Sequence, residues 1–212
     1  METSSGQQDV RARLVTAALD CFLADEYHKV TTRAIAEKAE ANIAMIRYYF
    51  GSKEGLYEEM IRETLAPLLD ALEGQSLTSV SDIEGFLSLY YRTMSSRPEF
   101  PKLILKVLAL NQGPGRRFIL QLLERGRADA ARKVEVLQAE NANTKPLDAD
   151  VLRLAFVSLA MTPMLLKDIF EEQAGRSMDE TFFESVARFN GQLLAAGLAA
   201  YLKLGENHDT SA

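Results

Sequence analysis

From Val10 to Leu202 the apolar residues of this chain recur at three- and four-residue intervals, and strand-like alternation is almost absent. That period belongs to amphipathic helices, so the chain reads as all-α with about nine helices. Polar punctuation sets their ends. A first helix is expected over residues 9–24, with Val10, Leu14, Ala17, Cys21 and Phe22 on one face. Thr31 or Thr32 can cap a second helix through Ala39, Asn42 a third through Tyr49, and Ser52 a fourth toward Leu72. Each of these side chains can accept an orphan N–H of the first turn.

Beyond Gly74 the boxes Ser81-x-x-Glu84 and Ser177-x-x-Glu180 are expected to open the fifth and last helices. Pro98 and Pro101 restart the chain before "KLILKVLAL", and "NQGPGRR" breaks it again. A helix over 116–141 and one over 148–172 follow, the latter kinked by Pro163. Gly-Pro-Gly lacks the strand before it and the Gly-Lys-Ser/Thr after it that a phosphate loop requires.

The second and third helices are too short to stand alone and must share one small core with the first. Ile35, Ala36 and Ala39 can meet Ile46 and Phe50, which leaves Ile43, Ala44, Met45, Arg47, Tyr48 and Tyr49 outside. Exposing large apolar side chains forgoes about 1.5–3 kcal/mol of burial each unless a partner covers them. A DNA major groove is such a partner, since it offers thymine methyls to apolar groups and guanine O6 and N7 to an arginine. Packing within the protein is the other reading of the same period. The net charge of −6 is no obstacle, because residues 27–53 hold five cations (Lys29, Arg33, Lys38, Arg47, Lys53) and two anions (Glu37, Glu40), a local +3.

From Arg11 to Tyr57 the chain resembles the DNA-binding region of TetR-family transcriptional regulators. Thr32, Ile35-Ala36, Ala39, Tyr49-Phe50, Ser52-Lys53-Glu54 and Leu56 carry the likeness, which ends in "YYFGSKEGLY". It implies DNA contacts at Thr32, Arg33, Ile43, Ala44, Met45, Arg47, Tyr48, Tyr49 and Lys53. Lys53 and the tyrosine hydroxyls would hold phosphates. Two positions depart from the family pattern. Glu40 stands where a turn glycine is usual, and Arg47 where tyrosine or asparagine is common.

The resemblance also implies a homodimer on a palindromic double-stranded operator, released by a small-molecule effector. It divides the chain into a helix-turn-helix domain at 1–52, a connector helix at 53–73, and a ligand-binding and dimerisation domain at 74–212. Leu152, Phe156, Leu159, Phe182, Val186, Gly191, Leu193 and Ala195 could form an intersubunit four-helix bundle, and the same residues would serve a monomer core. Phe86, Tyr90, Met94, Phe118, Met161 and Met164 could line an apolar pocket with Tyr90 as its polar handle, or fill ordinary core.

No cofactor is expected. His28 and His208 lie far apart in sequence with no ligand cluster beside them, so no metal site is expected. Cys21, the one cysteine, reads as an inert thiol. A nucleophile with a base and a Glu-x-x-His pair are both missing, which argues against an enzyme. The start "METSSGQQ" lacks a signal pattern and no apolar run reaches membrane length, so a cytoplasmic location is expected with no membrane partner. A helical protein–protein adaptor, or a DNA binder without an inducer, is the alternative.

Overall fold

The computed structural model describes residues 3–95, 99–110, 114–139 and 146–203. Ser96, Pro98, residues 111–113 of the predicted break, Asn141 and His208 lie outside them. Among the described residues there are ten helices and no strand: α1 (Thr3–Ala24), α2 (Thr32–Lys38), α3 (Ala44–Phe50), α4 (Lys53–Glu73), α5 (Asp82–Ser95), α6 (Glu99–Leu110), α7 (Gly115–Ala139), α8 (Ala149–Leu165), α9 (Lys167–Ala174) and α10 (Glu180–Lys203). No single helix among them is long and apolar enough to cross a membrane.

The tenth helix arises because the segment expected as one helix over 148–172 is two, bent by 57°. The bend is at Leu166, beyond Pro163. α8 continues through the proline because the carbonyl that Pro163 leaves unpaired, that of Leu159, accepts the hydroxyl of Tyr91 at 2.7 Å.

Contacts divide the chain into two compact units, Met1–Ala66 with Lys102–Leu122, and Pro67–Pro101 with Leu123–Ala212. In the first unit Leu14, Ala18, Phe22, Ile35, Ala36, Ala39, Ile46, Leu56 and Met60 are buried. This gathers the short helices on α1 as their period requires. Arg11 fastens α1 to α4 through Glu59 at 2.5 Å and Glu63 at 2.6 Å. Gly115 lets α7 start against α4, since a Cβ there would lie 2.4 Å from the Tyr57 ring.

In the second unit α10 packs along α5. A Cβ on Gly191 would lie 2.6 Å from the Cα of Glu84, so this glycine serves close helix approach within the chain. Neither expected box is seen among the described hydrogen bonds. Ahead of α5 the Asp82 carboxylate reaches back to the N–H groups of Thr78 and Ser79, both at 2.9 Å, and so fixes the turn that leads into the helix. At α10 Asp179 takes the capping place expected of Ser177 and accepts the N–H of Phe182 at 2.9 Å, while Ser177 bonds Glu171. A carboxylate is a stronger acceptor than a hydroxyl and matches the positive end of a helix dipole.

Candidate nucleic-acid interface

Three caps build the short helices. The Thr31 hydroxyl accepts the N–H of Ala34 at 3.1 Å, Asn42 Oδ1 that of Ala44 at 2.8 Å, and Ser52 Oγ that of Gly55 at 3.0 Å. Between α2 and α3 the chain reverses through Glu40 at φ 49°, the left-handed region. The N–H groups of Glu40 and Ala41 return to the carbonyls of Glu37 at 3.1 Å and Ala36 at 2.9 Å. This is the Schellman closure that usually takes glycine. α3 then ends at Gly51, with φ 73°. α4 begins so close that a Cβ on Gly55 would stand 2.1 Å from the Phe50 carbonyl oxygen.

These turns fix which face of α3 is outward. Ile46 is buried, whereas Ile43 is 49% and Tyr48 67% exposed, and Ala44 and Arg47 are exposed beside them. Met45 and Tyr49 are half-buried. The Tyr48 and Tyr49 rings meet edge to face, 4.9 Å apart. On α2, Thr32 is half-buried and Arg33 exposed. α3 therefore presents an apolar, cationic and phenolic surface one helix wide, the dimensions of a major-groove reader.

The five cations of this region differ in their partners. Lys29 pairs with Glu26, Arg33 with Glu37 at 3.0 Å, and Lys38 with Asp20 at 3.1 Å. Lys53 is the most enclosed. Its ammonium donates to the Tyr27 carbonyl and lies 4.2 Å from the centre of the Tyr27 ring, and burial lowers its pKa. Arg47 has no side-chain partner among the described residues. The cation that the resemblance assigns to phosphate is thus engaged with its own protein, and the free one is the arginine on the reading face.

Lys53 borders a cluster in which the Phe22, Tyr27 and Tyr57 rings meet, with Tyr57 4.4 Å from Phe22 and 4.9 Å from Tyr27. Burial pushes the Tyr57 hydroxyl up to about 12. Cys21 on α1 is half-buried with its pKa also raised by burial, which makes it a weak nucleophile.

Residues 14–60 match the model for bacterial regulatory proteins of the tetR family, and the match spans α2, α3 and the turns just described. The segment that builds α2, α3 and their turns is thus similar to the DNA-binding segment of tetR-family regulators. It is 52% identical over 56 residues to the HTH-type transcriptional dual regulator CecR of Shigella flexneri, a stretch that covers 26% of this chain and 24% of that relative. The likeness of fold extends further. A tetR-family regulatory protein from Rhodococcus RHA1 superposes with a TM-score of 0.68 at 19% identity, over 88% of this chain and 95% of that one. Salmonella enterica GusR does so with 0.65 at 17%, over 92% and 95%.

The second unit holds the other candidate residues of the sequence, except one. Phe118 belongs to the first unit, where the Arg62 guanidinium lies 5.0 Å from its ring centre. Tyr90, Met94 and Met164 are buried, and Phe86 and Met161 half-buried.

Among the bundle candidates only Leu193 is exposed. Leu152, Phe156, Leu159, Phe182, Val186 and Ala195 are half-buried, and Gly191 is buried against α5. The outward apolar stripe is displaced around each helix, to Val151, Leu154 (67% exposed) and Val157 on α8, and Phe189 (68%) with Leu193 on α10. The outer series on α8 keeps a helical spacing of its own, with Val151, Leu154 and Val157 at i, i+3 and i+6.

Proposed function

We propose that this chain is a one-component transcriptional regulator of the TetR family: a homodimer that binds a palindromic operator and leaves it when a small apolar or amphipathic effector binds, hence a repressor. The observation that carries the DNA reading is the outward face of α3, where Ile43, Ala44, Arg47 and Tyr48 stand together in the open. Ile43 and Ala44 suit thymine methyls, and Arg47, free of any acid, suits guanine O6 and N7. Thr32 and the hydroxyls of Tyr48 and Tyr49 suit phosphate oxygens, which set register. Arg33 and Met45 flank that face.

The dimer is supported by the exposed apolar stripe on α8 and α10, since contiguous patches of this kind on soluble domains mark interaction surfaces. Two copies would place their α3 helices in successive major grooves about 34–36 Å apart. α4 supplies residues to both units, up to Ala66 to the first and from Pro67 to the second, and is the proposed lever between effector and reading head. An effector favouring the non-binding state by about 1–3 kcal/mol suffices for release.

The test is selection of bound fragments from random DNA with the full chain. Enrichment of an inverted repeat with a guanine in each half-site is the expected result, and sedimentation should give a dimer that Leu154→Glu with Phe189→Glu dissociates. Absence of any enriched sequence would remove the DNA reading.

A further inference from the structure

Tyr90 on α5 is 4% exposed, and its hydroxyl has no hydrogen-bond partner among the described residues. Leaving a buried hydroxyl unpaired is costly, which is why such groups are almost always satisfied in native chains. The acceptor that α8 has to spare is taken, because the Leu159 carbonyl receives the hydroxyl of the neighbouring Tyr91.

The surroundings are aromatic. The Phe156 ring meets Tyr90 edge to face at 6.4 Å, Tyr91 meets it at 5.7 Å, and Phe86 lies 6.3 Å from Phe156. Met94 and Met164 are buried on the same two helices, α5 and α8, and methionine repacks readily around a guest. Among the described residues no charged group is hydrogen-bonded to the phenol. The ammonium of Lys133, 5.6 Å from the Phe86 ring centre, is held by Asp129 and by the Leu72 carbonyl. Burial raises the Tyr90 pKa above the usual tyrosine range, and no ionised carboxylate or ammonium contributes to that shift.

We infer that the Tyr90 hydroxyl is the polar contact of the effector site, and that the effector is an uncharged, mainly apolar molecule bearing one hydrogen-bond acceptor such as a ketone or ether oxygen. A carboxylate would find no cation to balance it, and a pure hydrocarbon would leave the hydroxyl unpaired. The inference rests on the effector reading above and adds the chemistry of the ligand and the residue that selects it.

Benzophenone and diphenylmethane, alike in size and different at the carbonyl, are titrated calorimetrically into the full chain and its Tyr90→Phe variant. Wild type should bind the ketone at least about tenfold more tightly than the hydrocarbon, as one satisfied buried donor provides. In the variant that ratio should fall toward one while hydrocarbon binding is unchanged. The ligand-free variant should melt no lower than wild type, because it loses only an unpaired hydroxyl. A ratio that survives in Tyr90→Phe, equal binding of the two compounds to wild type, binding of neither, or a lowered melting temperature overturns the assignment, the last by showing that an internal water or neighbour already satisfies the group. If the ratio behaves as expected but the ketone leaves operator binding unchanged, the site stands and its regulatory role fails.

Discussion

The hydroxyl of Tyr91 on α5 donates to the carbonyl of Leu159 on α8 at 2.7 Å, and Leu159 is the residue whose helical partner Pro163 removes. A side chain thus completes a backbone ladder on another helix. Tyr91→Phe should destabilise the fold by about 1 kcal/mol, because it removes the hydrogen bond of a part-buried carbonyl. Pro163→Ala restores an N–H at that point, so the double variant should recover most of the loss. Chemical denaturation of the four proteins measures the coupling, and additive effects would show that the bond carries none.

Arg47 and Lys53 should separate in mobility-shift titrations repeated over a range of salt, where the slope of affinity against salt counts phosphate contacts. Arg47→Ala should relax the guanine preference of each half-site, because its guanidinium is assigned to base edges. Lys53→Ala should leave the slope unchanged and lower the melting temperature, since the ammonium is bound to the Tyr27 carbonyl and ring. A loss of about two in slope for Lys53→Ala would mean that the lysine swings out to phosphate on the operator.

Glu40 occupies a left-handed position at φ 49°. Its side chain gains nothing evident from that geometry, and a left-handed residue other than glycine costs roughly 1–2 kcal/mol. Glu40→Gly should recover about 1 kcal/mol, partly offset by the greater freedom of glycine in the unfolded chain. Thermal unfolding checks the sign, and a lower melting temperature would show that Glu40 makes a stabilising interaction.

Alkaline stability should report the buried phenols. Burial pushes both Tyr57 and Tyr91 up to about 12 from the ordinary 10.0. Below about pH 10 both states hold these protons and stability is unaffected by them. Between about pH 10 and 12 the unfolded chain releases them while the folded one does not, so stability falls as pH rises. Each contributes a loss of roughly 2–3 kcal/mol across that window. Tyr57→Phe should flatten the fall by one such share in denaturation curves at pH 9 and 12. An unchanged fall would show that Tyr57 ionises as readily in the folded protein.

What the sequence determined by itself was local. Thr31, Asn42 and Ser52 act as caps because donor and acceptor lie within three residues of each other. The outward face of α3 followed from the same short range, since once Ile46 must join the core its helix has no other orientation. Tertiary structure decided the rest. It drew Lys53 onto Tyr27, set Gly191 against Glu84, joined Tyr91 to Leu159 and left Tyr90 unpaired. It also left Leu154 and Phe189 exposed on α8 and α10, with Phe156 and Val186 half-buried beside them. A helical period names a stripe on one helix, but which stripe is covered depends on neighbours distant in the chain, whose packing no local pattern encodes.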